Sequence, residues 1–320
     1  IFWTHLLNVA LFSVNGQWDP LLQCGAIAFL RAGCAAGLAG LFSAAFAGGV
    51  RWIVAVVVAI AFLPHLAWHT VLWGIQSHTY FVLGFSFAAL ALLGTGGPSP
   101  LRMAGGLAAG IAALLAMGPG ALVPVALLGM AGLRAIERRR VDRGAGVGLV
   151  VAGVLLVAAL ALRVDDPGTA EWRPAGAGEF LIAAGRALAW PHVGSPMAAL
   201  VLNAPLLAIV WLRARRARTP CPGENFVVLA GGWSVGVALA TAWMRGGGAE
   251  LGVGVPSRYV DFLVPLPLAN LWCALVLARE AAAAWRRRAR WAAGAWVVFL
   301  AIGWIGLSVE VVRRLILPRV

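Results

Sequence analysis

Between Pro64 and Tyr80 the chain places three histidines (His65, His69, His78), two tryptophans (Trp68, Trp73), Gln76 and Tyr80 within seventeen residues. Indole faces stack on sugar rings, and Gln and His hydrogen-bond to hydroxyls, so this run reads as one wall of a carbohydrate-binding cleft. The same residues also suit an aromatic belt at headgroup depth, where Trp and Tyr gather because they are amphipathic. His65 and His69 stand one helical turn apart, a spacing that could hold a metal, but no acid lies nearby and Pro64 precedes them. No metal site is assigned.

A second constellation follows Gly252-Val253-Gly254-Val255-Pro256, where Ser257-Arg258-Tyr259-Val260-Asp261 opens an apolar run that continues through Pro265 and Pro267. An arginine at the mouth of a span can clamp a phosphate bidentately, and a lipid-linked substrate presents its phosphate at that depth. The alternative is an Arg258–Asp261 pair, three residues apart on a helix, serving as an interfacial anchor. The two prolines predict a bent span beside a cavity. Arg31 lies inside an apolar run, which costs roughly 2.5–3.5 kcal/mol at mid-span, so it is expected to face inward and find a structural partner. Asp165-Asp166-Pro167-Gly168 reads as a solvated turn, and Met117-Gly118-Pro119-Gly120 as a tight turn between helices.

The elements that position these residues follow from composition. Of 320 residues 62% are hydrophobic and only 12% charged, too little polar surface for a water-facing globule. The pattern predicts an all-α polytopic transmembrane helix bundle, a single domain over 1–320. Residues 1–20 form an interfacial helix and loop, and about ten spans occupy 21–312. The apolar runs lie at about 21–46, 52–66, 80–94, 103–117, 119–133, 144–162, 197–212, 225–243, 259–278 and 291–312, with a tail at 313–320. Several runs are too short for a straight span. Gly105, Gly106 and Gly110 read as helix-packing faces. The chain opens on Ile1 in mid-pattern, which suggests a fragment that lacks an N-terminal part.

The net charge of +13 comes from 25 arginines and no lysine. The bursts at Arg134–Arg143, Arg213–Arg218 and Arg279–Arg290 each lie two spans from the next, so they share the cytoplasmic side with Arg51 and Arg102. Sixteen of the 25 arginines then lie inside. This distribution points to orientation and anionic-lipid contact, not nucleic acid. Counting spans puts all five histidines and eight of the twelve acids on or near the outer face, so any chemistry belongs there. The four cysteines form no framework, and no phosphate-cradling loop, nucleophile elbow or His-Glu-x-x-His occurs.

Two stretches resemble a known group. LeuLeuAlaMetGlyProGlyAlaLeuValProValAlaLeuLeu, followed by an Arg burst, is similar to the "Leu-x-Lys-Gly-Pro … Leu-x-Pro" helix pair of GT-C-type integral membrane glycosyltransferases. SerArgTyrValAspPheLeuValProLeuPro resembles the Arg-Tyr … Pro span of the same superfamily. TrpGlyIleGlnSerHisThrTyrPhe is similar to segments in relatives of the group. Gly118 and Pro119 match the Gly-Pro turn, Arg258 and Tyr259 the Arg-Tyr pair, and Met117 stands where that group often has Lys.

The resemblance implies a bacterial inner-membrane enzyme of the cell envelope that moves a sugar from a polyprenyl-phosphate donor to an acceptor at the extracytoplasmic face. Arg258, Tyr259, Asp261, Gln76, His78, His69 and Trp73 would bind substrate. The catalytic base would be an acid upstream of Ile1, so the fragment alone would be inactive; Asp19 is not promoted to that role. Membrane lipids and the lipid-linked sugar are the expected partners. No cofactor is assigned, and a divalent metal stays open. Other readings are a transporter or lipid-carrier flippase, a lipid-linked oligosaccharide polymerase or ligase, and a non-catalytic membrane scaffold.

Overall fold

The computed structural model describes residues 1–44, 46–63, 67, 70, 72–95, 99–138, 143–162, 167–216, 219–221, 223–247 and 255–315. Among these the regular structure is entirely helical. Among the described residues each of the ten apolar runs contains helix, the second only as far as Ala61, and six helices are long and apolar enough to cross a membrane. Gly48–Ala61, Pro100–Ala116, Gly146–Ala161 and Ala198–Ala214 are apolar but shorter. Large aliphatic and aromatic side chains that water would drive inward, such as Phe29, Trp52, Val150 and Leu181, lie on the outside. The chain is built as a multi-pass integral membrane protein.

It divides into two compact units, residues 1–164 with 213–233, and residues 165–212 with 234–320. The first unit begins with α1 (Phe2–Asn15), which ends at Gly16 in the left-handed region, φ 69°. Asp19 then caps α2 (Pro20–Ser43), its carboxylate accepting from Leu21 and Leu22 N–H at 2.8 and 3.2 Å, with Pro20 in the first turn. Next come α3 (Gly48–Ala61), α4 (Ser77–Gly94), α5 (Pro100–Ala116), α6 (Leu122–Arg138) and α7 (Arg143–Ala161). The turn expected at Gly118-Pro119 is a short 3₁₀ helix, Gly118–Ala121, between α5 and α6.

The packing faces read from small residues hold. A Cβ on Gly106 would sit 2.5 Å from Leu93, and one on Gly110 would sit 2.7 Å from Leu155, so glycine lets α4 and α7 approach α5. Phe42, Phe87, Phe226 and Trp233 form the aromatic centre of this unit, with ring centroids 5.2–6.1 Å apart.

The second unit holds α8 (Ala177–Leu188), most of α9 (Ala198–Ala214), the later part of α10 (Glu224–Arg245), α11 (Ser257–Leu263), α12 (Pro265–Glu280) and α13 (Ala283–Leu315). Pro265 lacks an N–H, so the helical hydrogen bonding is interrupted between α11 and α12, while Val264 keeps right-handed helical dihedrals (φ −48°, ψ −41°). Pro205 sits inside α9 and cannot donate to the Val201 carbonyl four residues back. Trp296 Nε1 donates there instead, at 3.1 Å to Val201 O and 3.3 Å to Leu202 O. One residue on, Leu206 N–H donates to Asn270 Oδ1 at 3.0 Å, and Asn270 Nδ2 donates to Asn203 Oδ1 and Leu266 O. Side chains from two neighbouring helices therefore satisfy backbone that hydrocarbon would leave stranded.

Candidate functional site

In the first unit the aromatic and polar run enters α4 through a short 3₁₀ turn, Gly74–Gln76. Trp73 is exposed, Gln76 and His78 are half-buried, and Ser77 is buried with its hydroxyl donating to Thr4 Oγ1 at 3.0 Å. His78 Nδ1 lies 2.8 Å from Ile75 O, so it carries the proton in that bond and Nε2 is left as an acceptor. Trp73, Gln76 and His78 thus open one helix together, as expected. His65, Trp68 and His69 lie outside the described residues.

Arg31 reaches this end from α2 and is buried, as the energetics of a mid-span charge require. Its Nε donates to Phe62 O at 3.0 Å and its Nη2 to Leu63 O at 3.3 Å, while Nη1 meets Tyr80 Oη at 3.3 Å. Phe62 and Leu63 directly follow the last residue of the short helix α3. The guanidinium donates to their carbonyls and complements the negative end of the helix dipole.

In the second unit α11 carries Arg258 and Tyr259, both half-buried, with the guanidinium carbon 5.2 Å from the ring centroid. Asp261 is fully buried one turn on, 0% exposed, so it stands inside the helix packing and not at an open mouth. Sequence reasoning missed a second arginine–aromatic pair in this unit. Arg245, in the last turn of α10, lies 3.8 Å above the Trp172 ring, and its Nη1 is buried without a hydrogen-bond partner. Trp172 ends a short 3₁₀ helix, Pro167–Trp172, whose carbonyl accepts from Gly247 N at 3.0 Å. A Cβ at Gly247 would come within 2.2 Å of Arg173 O, so only glycine permits this clasp.

The two pairs are tied by packing. Val255, three residues before Arg258, packs on the cluster of Ala183, Ala184 and Ala242, and Ala242 is one turn before Arg245. Ser257 Oγ is also buried without a partner. Arg245 closes α10, while Ser257 and Arg258 open α11; guanidiniums and hydroxyls are donors suited to anionic oxygens. The signal available in the sequence was the pair of aromatic-flanked arginines that bracket one Gly-rich loop.

A third polar centre is built on residues of the Arg bursts. Arg213 is 1% exposed; its Nε pairs with Glu137 Oε1, its Nη2 lies 3.2 Å from Glu137 Oε2, and its Nη1 lies 3.4 Å from Glu224 Oε1. Glu224 is 0% exposed and stands in the first turn of α10, where its charge suits the helix dipole. Other burst residues finish helix ends. Arg134 donates to Gly94 O, Arg102 to Ala91 O at 3.1 Å, and Arg216 to Ile136 O at 2.6 Å. This end of the unit is held by structural electrostatics.

Among the described residues no three His, Cys, Asp or Glu side chains come together to hold a metal. No protein-family model, curated protein or solved structure matches the chain.

Proposed function

We propose that this protein is a membrane glycosyltransferase of GT-C type, with about ten spans in a bacterial inner membrane. It transfers a sugar from a polyprenyl-phosphate donor to an acceptor at the extracytoplasmic face. The observation that carries this reading is the pair of arginine–aromatic contacts, Arg258 with Tyr259 and Arg245 with Trp172, in one unit beside a buried unpartnered Ser257 hydroxyl. Such a donor set stabilises the phosphate that leaves with the bonding electron pair when an acceptor oxygen attacks the anomeric carbon. A carboxylate base takes the acceptor proton as the new bond forms, and the configuration inverts. Tyr259 and Trp172 hold the guanidinium planes, and Asp261 supports α11 from within. Considered by itself, the first unit offers Trp73, Gln76 and His78 as a stacking face and hydrogen-bonding groups suited to sugar hydroxyls, with His69 in the same run.

Transport is the weaker alternative. It would use polar groups at mid-span for a solute, and the Asn203–Asn270 pair is already engaged in internal hydrogen bonds. The deciding assay follows a radiolabelled sugar from a polyprenyl-phosphate donor in membranes containing the full-length protein. Arg258→Ala is expected to lower kcat/KM on the order of a hundredfold, as for loss of a donor to developing charge. Turnover equal to wild type would remove Arg258 from the site, and transfer undetectable in wild-type membranes with any such donor would sink the reading.

A further inference from the structure

α13 has 33 residues. At about 1.5 Å per residue it is about 50 Å long, some 20 Å more than a hydrocarbon core of about 30 Å. Its apolar part begins at Trp291, so the first two turns carry Arg286, Arg287, Arg288 and Arg290 beyond that core. Ala283, Arg286, Arg287, Arg290, Trp291 and Gly294 line an open groove of about 630 Å³ on this stretch. These positions recur at steps of three and four, so they share one helix face. The floor is small: a Cβ built on Gly294 meets nothing within 4 Å. Arg288 stacks on Trp285, 4.8 Å from its ring, and is not part of the lining.

The same face continues toward the helix end as Val298, Ile302 and Ile305, which are 58%, 59% and 64% exposed. A cationic notch with no acid in its lining therefore sits at the head of an uncovered aliphatic stripe, with Trp291 at the junction where indoles favour the interface. We infer that this face of α13 is a seat for one anionic phospholipid. Its phosphate sits on Arg286, Arg287 and Arg290, and an acyl chain runs along Val298, Ile302 and Ile305. Guanidinium forks match phosphate oxygens, and basic side chains at a membrane surface favour anionic lipid additively. A free phosphate ion would leave the aliphatic stripe unused. A second copy docked about a two-fold axis at this notch would set arginine against arginine. The seat does not depend on the glycosyltransferase reading.

The test uses the whole chain, purified in a neutral maltoside and offered phosphatidylglycerol and phosphatidylcholine of matched chain length, with retained lipid read by native mass spectrometry. One phosphatidylglycerol per chain is expected, preferred over phosphatidylcholine by about a hundredfold if three arginines contribute additively. Arg286→Gln, Arg287→Gln and Arg290→Gln together should bring the two lipids within about threefold. Gly294→Leu keeps every charge and adds a good helix former, so it tests the notch itself; it should lower phosphatidylglycerol retention without loss of fold. Equal retention of the two lipids overturns the proposal. So does a preference that survives the triple substitution, displacement of the lipid by inorganic phosphate, or a cross-link between two copies through Arg290→Cys.

Discussion

At the scale of single residues, arginine does two jobs in this protein that its count alone does not separate. Arg31, Arg102, Arg134 and Arg216 donate to carbonyls at or just beyond helix ends, where the helix's own N–H donors run out. Arg213 instead pairs with two carboxylates, the half-buried Glu137 and the fully buried Glu224. Arg213→Met should therefore cost about 3–5 kcal/mol, because it takes the counter-charge from a buried carboxylate, Glu224. The check is unfolding of the purified protein in detergent. Arg213→Met combined with Glu137→Gln and Glu224→Gln should recover most of that loss, since a pair replaced on both sides leaves no orphan charge. A triple variant as weak as the single one would show that the centre is not held by this charge balance. Arg245 is different again, with one buried N–H left without a hydrogen-bond partner beside the Trp172 ring.

At the scale of elements, the informative feature of α9 is the way Pro205 is tolerated. Asn270 from α12 and Trp296 from α13 take up the backbone groups around the break, so three helices are tied at one point. Asn270→Leu should destabilise the protein by about 1–3 kcal/mol by leaving the Leu206 N–H without its side-chain acceptor. In a Pro205→Ala background α9 can close its own hydrogen bonds, and the same Asn270→Leu change should cost less. A double-mutant cycle in detergent unfolding measures the difference, expected at about 1 kcal/mol; additivity of the two changes would refute the coupling. The apolar period made α9 visible in the sequence, and so did the proline within it. The groups that repair the break lie 64 and 95 residues away and belong to no local pattern.

At the scale of the whole molecule, short arginine-rich connections alternate with arginine-poor ones along the chain, a pattern that predicts orientation. Cysteine mapping tests it directly. In a background without Cys24, Cys34, Cys221 and Cys273, single cysteines at Arg138, Arg215 and Arg288 should react from the cytoplasmic side with a membrane-impermeant maleimide. Those at Trp73 and Glu171 should react from the other side. All five positions are exposed, so labelling reads sidedness and not burial. Arg138 and Arg288 labelling from opposite faces would break the proposed ten-span topology.

The sequence by itself determined the solvent and the helices. Hydropathy is a local sum, and a chain in hydrocarbon must close its own backbone hydrogen bonds, so the apolar runs could only become helices. Turn chemistry was equally local: Asp19-Pro20, Gly16, Gly118-Pro119 and the break at Pro265 stand where the residues require them. The same holds for the aromatic run at the start of α4 and for Arg258 with Tyr259, which are neighbours along one helix. Only the tertiary structure decided which charges are partners. Arg213 meets Glu137 across 76 residues, and Arg31 meets Phe62 and Leu63 across 31 and 32. Arg245 meets Trp172 through a clasp that a glycine allows. Such pairings depend on how closely two helices approach and at what height. Those are properties of packed surfaces, on which residue type and spacing along one chain are silent.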